Sequence, residues 1–166
     1  MQASPKPYRV LGIDPGLRVT GYAVVSFARG EPQIVEAGAV ESDQKLPMPE
    51  RIGQIHAALA EIIAELKPDF AAVENLYAHY KHPRTSILMG HARGVLLLAC
   101  SQAGLAVHNL AATRIKKAIT GNGHASKLQI QRSVKTLFNL AELPKPPDVA
   151  DALAIAICAG RNARLR

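Results

Sequence analysis

Tyr8-Arg9-Val10-Leu11-Gly12-Ile13-Asp14-Pro15-Gly16 decides the fold of this chain. The stretch is apolar through Ile13 and then breaks at once on Asp14, Pro15 and Gly16, the pattern of a buried strand ending in a turn. Asp14 therefore stands where the edge of a sheet opens into a cleft. A lone carboxylate there is costly to desolvate unless a cation or hydrogen-bond donors meet it. The pattern recurs in Phe70-Ala71-Ala72-Val73-Glu74-Asn75, so two strands end on acids and point to one shared site.

A third acidic element lies near the C-terminus, where Asp148-Val149-Ala150-Asp151 opens an apolar run over 152–159. Residues three apart share a helix face, so a helix here points both carboxylates the same way, with Pro146 and Pro147 fixing its entry. Four like charges drawn together repel one another and raise each other's pKa values. A divalent metal removes that conflict. Oxygen-only ligands favour Mg²⁺ or Mn²⁺, and two such ions clamping a phosphate is an arrangement for phosphodiester cleavage.

Charge agrees with this reading. Twenty Lys and Arg against thirteen Asp and Glu give a net charge of +7. Setting aside Asp14, Glu74, Asp148 and Asp151 leaves nine acids against the twenty bases, or +11 elsewhere, so the surroundings of the acids attract a polyanion. No apolar stretch approaches a membrane span and the first ten residues lack a signal-peptide core, so a cytoplasmic protein is expected. Cys100 and Cys158 each lie in an apolar helical pattern without zinc-ligand spacing and read as buried free thiols.

The 166 residues suit one domain, 1–166, with 1–7 and 161–166 as flexible ends. Strands are predicted over 8–13, 21–27 and 34–40 as an antiparallel meander, then over 70–73 and 106–110. Helices are predicted from Pro49 to Leu66, over 84–103, around Arg114 to Lys117, from a Ser126/Gln129 capping box to about Leu140, and from Asp148 onward. Gly104 reads as a C-cap residue. The order βββαβαβααα gives an α/β fold, a five-stranded mixed sheet with three antiparallel and two parallel strands, flanked by helices that leave the acids at one sheet edge. Gly90, Ala92 and Gly94 in the 84–103 helix permit close approach of another helix, from this chain or from a second copy.

Gly12-Ile13-Asp14-Pro15-Gly16 through Gly21-Tyr22, Glu74 closing a strand, and Asp148-Val-Ala-Asp151-Ala-Leu-Ala-Ile-Ala together closely resemble the RuvC family of Holliday-junction resolvases. The resemblance covers nearly the whole chain, with the acidic motifs in the family's order. It implies the ribonuclease H-like fold and a homodimeric endonuclease. That enzyme places symmetric nicks in a four-way DNA junction during recombination and repair, using two Mg²⁺ or Mn²⁺ ions per site. A RuvA–RuvB branch-migration complex is the partner it implies. By motif position Asp14, Glu74, Asp148 and Asp151 carry over as catalytic metal ligands. The family also places histidine at the Asp148 position, so that residue is shared between metal binding and proton handling.

Candidate DNA contacts follow. Tyr77 lies in a polar loop with His79, Tyr80, Lys81 and His82, and an exposed aromatic beside a nuclease site can stack on an unpaired base. The family carries an aromatic there that engages DNA. Lys116 and Lys127 flank the Gly121–His124 loop and match family lysines that approach the scissile phosphate, with Arg114 and Lys117 expected to widen the same patch. His124 stands between the two lysines and is a further phosphate contact. His56 and His91 lie inside helical stretches and read as structural. Three rivals remain: a phosphotransferase of the actin and Hsp70 type, for which the chain has room for only one of two domains; another nuclease on the same fold, such as a ribonuclease H or a RuvX-like protein; and an inactive DNA-binding module, which has no need of four acids.

Overall fold

A computed structural model describes residues 6–28, 31–76 and 83–163. The elements are β1 (Tyr8–Asp14), β2 (Val19–Ala28), β3 (Glu31–Glu41), α1 (Met48–Leu66), β4 (Phe70–Glu74), α2 (Pro83–Gln102), β5 (Val107–Leu110), α3 (Ala112–Thr120), α4 (Lys127–Leu137) and α5 (Pro147–Ala163), in the predicted order. The sheet order is β3-β2-β1-β4-β5. β1 pairs antiparallel with β2 and parallel with β4; β2 pairs antiparallel with β3, and β4 parallel with β5. The mixed sheet is thus the expected one.

Boundaries differ where context overrides local signals. β2 begins at Val19 and β3 already includes Pro32. Proline cannot donate to a ladder, but β3 is an edge strand, where that is tolerated. α4 ends at Leu137 rather than near 140, and Asn139 follows with φ 50°. α1 stops as expected, with Lys67 left-handed at φ 46° ahead of Pro68.

Alternation along the strands divides the core into two layers. Leu11, Ile13, Val24, Ala71 and Val73 pack on the side of Ile55, Leu59 and Ile63 from α1 and Ala92, Leu96 and Ala99 from α2. Val10, Ala23, Val25 and Ala72 pack on the other side, against α5, with Ile115 of α3 and Ile130 and Val134 of α4 closing that layer. The alternation carries forward to the strand ends. One residue past Ile13 and one past Val73, Asp14 and Glu74 fall on the α5 side.

α5 lies directly on the sheet because nothing intervenes. A Cβ on Gly12 would stand 2.2 Å from the Ala152 carbonyl oxygen and 2.7 Å from the Ala156 nitrogen. A Cβ on Gly21 would stand 2.1 Å from the Asp148 carbonyl oxygen. Gly21 is the register partner of Asp14, so the same contact that seats the first turn of α5 brings its acids to the end of β1.

Candidate active site

Asp14 and Glu74 end neighbouring parallel strands whose preceding residues, Ile13 and Val73, are register partners. The turn after Asp14 is held by the buried Thr20, whose hydroxyl donates to the Gly16 carbonyl at 2.7 Å and accepts from the Gly16 N–H at 3.3 Å. Asp151 meets the two strand-end acids from the first turns of α5. Together they line a cleft of about 270 Å³ whose other walls include Arg93, Lys116, Lys127, Ile115 and Ile130.

Lys127 is placed by the predicted capping box. Ser126 Oγ accepts from the Gln129 N–H at 3.2 Å, and Gln129 Oε1 accepts from the Ser126 N–H at 2.8 Å. The box fixes Lys127 as the first residue of α4, from which its Nζ reaches Asp151 Oδ2 at 3.4 Å. Burial would lower the Lys127 pKa, but Asp151 and Asp14 outweigh it and leave it raised.

The acids are overcrowded. Burial, then the charges of Asp151, Asp148 and Glu74, push Asp14 up to about 8 against only partial relief from Lys127. Burial also raises Glu74, with Asp151 adding to it while Lys116 and Lys127 oppose. Asp151 is raised by burial too, opposed by Lys127 and pushed further by Asp148. Asp148 does not line the cleft, but its charge acts on Asp14 and Asp151.

This set fits a hard divalent cation. The donors are carboxylate oxygens, and Asp14 is raised first by burial and then by its acidic neighbours, both of which a bound cation would offset. Among the described residues, no three of these side chains already stand in coordinating geometry. Lys127 on Asp151 is the counter-charge an arriving cation would displace.

The remaining predicted contacts divide. Lys116 faces the cleft, whereas Arg114 lines a separate hollow with His108, Asn109 and Asn162. Lys117 sits in the last turn of α3, where its carbonyl accepts the capping Gly121 N–H. The His124 N–H donates to Asn122 Oδ1 at 2.9 Å, and His124 is not among the cleft's lining residues. Tyr77 and its loop lie outside the described residues. Sequence reading missed Arg93 and Asn75, both of which line the cleft. Arg93 is the single charged residue between Arg84 and Arg114, an isolated cation that belongs to no charge pattern. No helix of the described residues is long and apolar enough to cross a membrane.

Comparison with known proteins bears on the family and the fold. A model of the family described as "Crossover junction endodeoxyribonuclease RuvC" matches residues 10–159. The protein of that name from Rhodopirellula baltica is 50% identical over 149 residues, 90% of this chain and 84% of the relative. The one from Halothermothrix orenii is 44% identical over 94% of each chain. The structure of Thermus thermophilus RuvC in complex with Holliday junction substrate superposes with a TM-score of 0.87 at 33% identity, covering 95% of this chain and 96% of that one. The mixed sheet with its flanking helices is thus the ribonuclease H-like fold of RuvC. With Asp14 and Glu74 ending the interior strands β1 and β4 beside Asp151, and the family match running from within β1 into α5, the chain belongs to the RuvC family of crossover junction endodeoxyribonucleases.

Proposed function

We propose that two copies of this chain engage a four-way DNA junction and hydrolyse one phosphodiester in each of two like strands, leaving ligatable ends. The observation that carries the reading is the cleft itself: Asp14, Glu74 and Asp151 line it together with Lys116 and Lys127. Acids alone would repel DNA; lysines on the walls draw in the strand that the acids are to cut. The Thermus protein, whose structure is described as a complex with Holliday junction substrate, supports the choice of substrate.

Asp14, Glu74 and Asp151, with Asp148 contributing charge and sharing ligation and proton handling, would hold two Mg²⁺ or Mn²⁺ ions. Those ions supply an activated water and stabilise the leaving 3′ oxygen. The chain's own residues do the rest. Ile115 and Ile130, both buried, keep the floor of the cleft dry and strengthen each charge interaction above it. Lys127 exchanges its carboxylate partner for phosphate once the acids are neutralised, and Lys116 is a second cation of the cleft that holds the strand. Tyr77 stacks on a base near the crossover, and Arg114, Lys117 and His124 attract flanking DNA at longer range.

Paired nicking needs paired sites, and an isologous dimer presents two identical sites to a two-fold junction. The open face of α2 suits that role. Ile87 and Leu98 are exposed there, and Gly90 and Gly94 recur between them at helical spacing. In the cell the enzyme works in the cytoplasm beside a RuvA–RuvB complex that moves the junction to it.

The test is cleavage of a labelled four-way junction beside linear duplex and RNA–DNA hybrid, with Mg²⁺, Mn²⁺ or chelator. Symmetric nicks on the junction alone are expected. Asp14→Asn should slow them more than about 100-fold, the upper range for groups one layer behind a metal. Cutting of the hybrid instead would overturn the reading.

A further inference from the structure

Arg93 is the one charged residue of the cleft that neither the acid cluster nor the lysine pair accounts for. It sits mid-helix in α2, where all else from 85 to 102 is uncharged. The side chain reaches the cleft lined by Asp14, Glu74 and Asp151 from the face of the sheet opposite α5. One guanidinium nitrogen donates to Asn109 Oδ1 on β5. Its Nε is buried and is the one such side-chain atom without a hydrogen-bond partner among the described residues. No described carboxylate pairs with it, although three acids line the same cleft.

A guanidinium stays charged at any working pH and carries five donors in a planar fork that matches phosphate. Asn109, a neutral amide, can aim that fork but cannot neutralise it. Asn109 is the register partner of Val73, the residue before Glu74, so the support is tied to the strand that places a cleft acid. A buried donor left unmet is paired in most native proteins, by a partner that here must come from outside the described chain.

We infer that Arg93, aimed by Asn109, is a substrate-binding residue that takes a backbone phosphate of the DNA strand lying in the cleft, on the wall opposite Lys127. This rests on the reading of the cleft as a DNA-strand site. Phosphate supplies the anion and the acceptors that the guanidinium lacks. Arg93 thereby sets the register of the strand against the acids without touching the ions.

The experiment compares wild type, Arg93→Gln, Arg93→Lys and Lys116→Glu for junction affinity against salt in chelator, for single-turnover cleavage, and for thermal melting. Arg93→Gln should bind about tenfold more weakly and reduce the slope of log K against log salt by about 0.9 for each strand engaged. Arg93→Lys should restore the slope but not the full cleavage rate, since a point charge cannot reproduce the fork. A Gln variant that melts lower yet keeps the wild-type slope and affinity would make Arg93 a structural residue and overturn the inference. Arginine-directed labelling of the wild type guards against a variant that does not fold. Junction DNA should protect Arg93, and equal labelling with and without it overturns the inference. If wild type cuts the junction and Lys116→Glu weakens binding while Arg93 is indifferent, only this inference fails. If wild type neither binds nor cuts junctions, the reading of the cleft fails first.

Discussion

α2 and α5 are both apolar helices studded with small residues, and the protein uses those residues in opposite ways. α5 is buried at every position from Val149 to Gly160 except Asp151. Its alanines lie against glycine-bearing strands, so helix and sheet backbones nearly touch. α2 buries Ala92, Leu96, Ala99 and Cys100 along one stripe, leaves Ile87 62% and Leu98 49% exposed, and turns Gly90 and Gly94 to open space. Small residues permit close approach; whether anything approaches depends on the neighbour. At α5 the neighbour is the strand that carries Asp14, so tight packing and the assembly of the acids are one event.

The largest expected effect follows from that union. Gly12→Leu places a branched side chain where a Cβ alone would overlap the Ala152 backbone, with no flexible neighbour to yield. Overpacking of this kind exceeds the usual penalty of about 1–3 kcal/mol, because main chain rather than side chain must move. The variant should lose its cooperative melting transition, and Gly90→Leu should keep it. Equal melting of the two variants would break the distinction between the helices.

A middle-sized effect isolates the acids that α5 delivers. Asp14 holds its proton with a pKa of about 8 in the folded chain against an ordinary value of 3.8. Between those values the folded state binds more protons than the unfolded one, so the metal-free protein loses stability as pH rises from about 4 to about 8. Asp14→Asn removes the burden. In chelator at pH 8 the variant should melt about 4–8 °C higher than wild type, equivalent to about 2 kcal/mol, with the gap closing toward pH 4. Mg²⁺ or Mn²⁺ should raise the melting temperature of wild type and leave the variant nearly unmoved. A variant that melts lower at pH 8 would mean the carboxylate is favourably held, contrary to its crowding.

Much of this was legible in the chain because strand-end acids and an apolar run opening on Asp-x-x-Asp depend on local pattern. The element order and the gathering of Asp14, Glu74 and Asp151 followed from periods of 2 and 3.6. The basic contacts were less legible. Arg114 and Lys116 are adjacent in a charge count, but residues two apart on a helix do not face each other, and α3 sends Lys116 into the acid cleft and Arg114 to the hollow by Asn162. Arg93 was hidden for the opposite reason. A lone cation in an apolar helix carries no pattern, and only the end of β5 beside it gives the side chain a direction.

The smallest effect is decided by its sign. Gly90 faces open space on α2, so in an isolated chain Gly90→Ala gains helix propensity of about 1 kcal/mol and should raise the melting temperature by about 2–4 °C. If a second copy packs its backbone against Gly90 and Gly94, the added methyl holds the two helices apart. The gain then reverses, and light scattering should show the dimer dissociating at a higher protein concentration than wild type. Leu98→Glu separates the two cases. It should leave a monomer as stable as before, because Leu98 lies exposed on the single chain, but it buries an unpaired charge in any dimer built on this face. A raised melting temperature for Gly90→Ala together with an unchanged dimer in Leu98→Glu would move the subunit contact off α2. The helix would then be open because nothing covers it, and the resemblance of its small residues to those of α5 would end at composition.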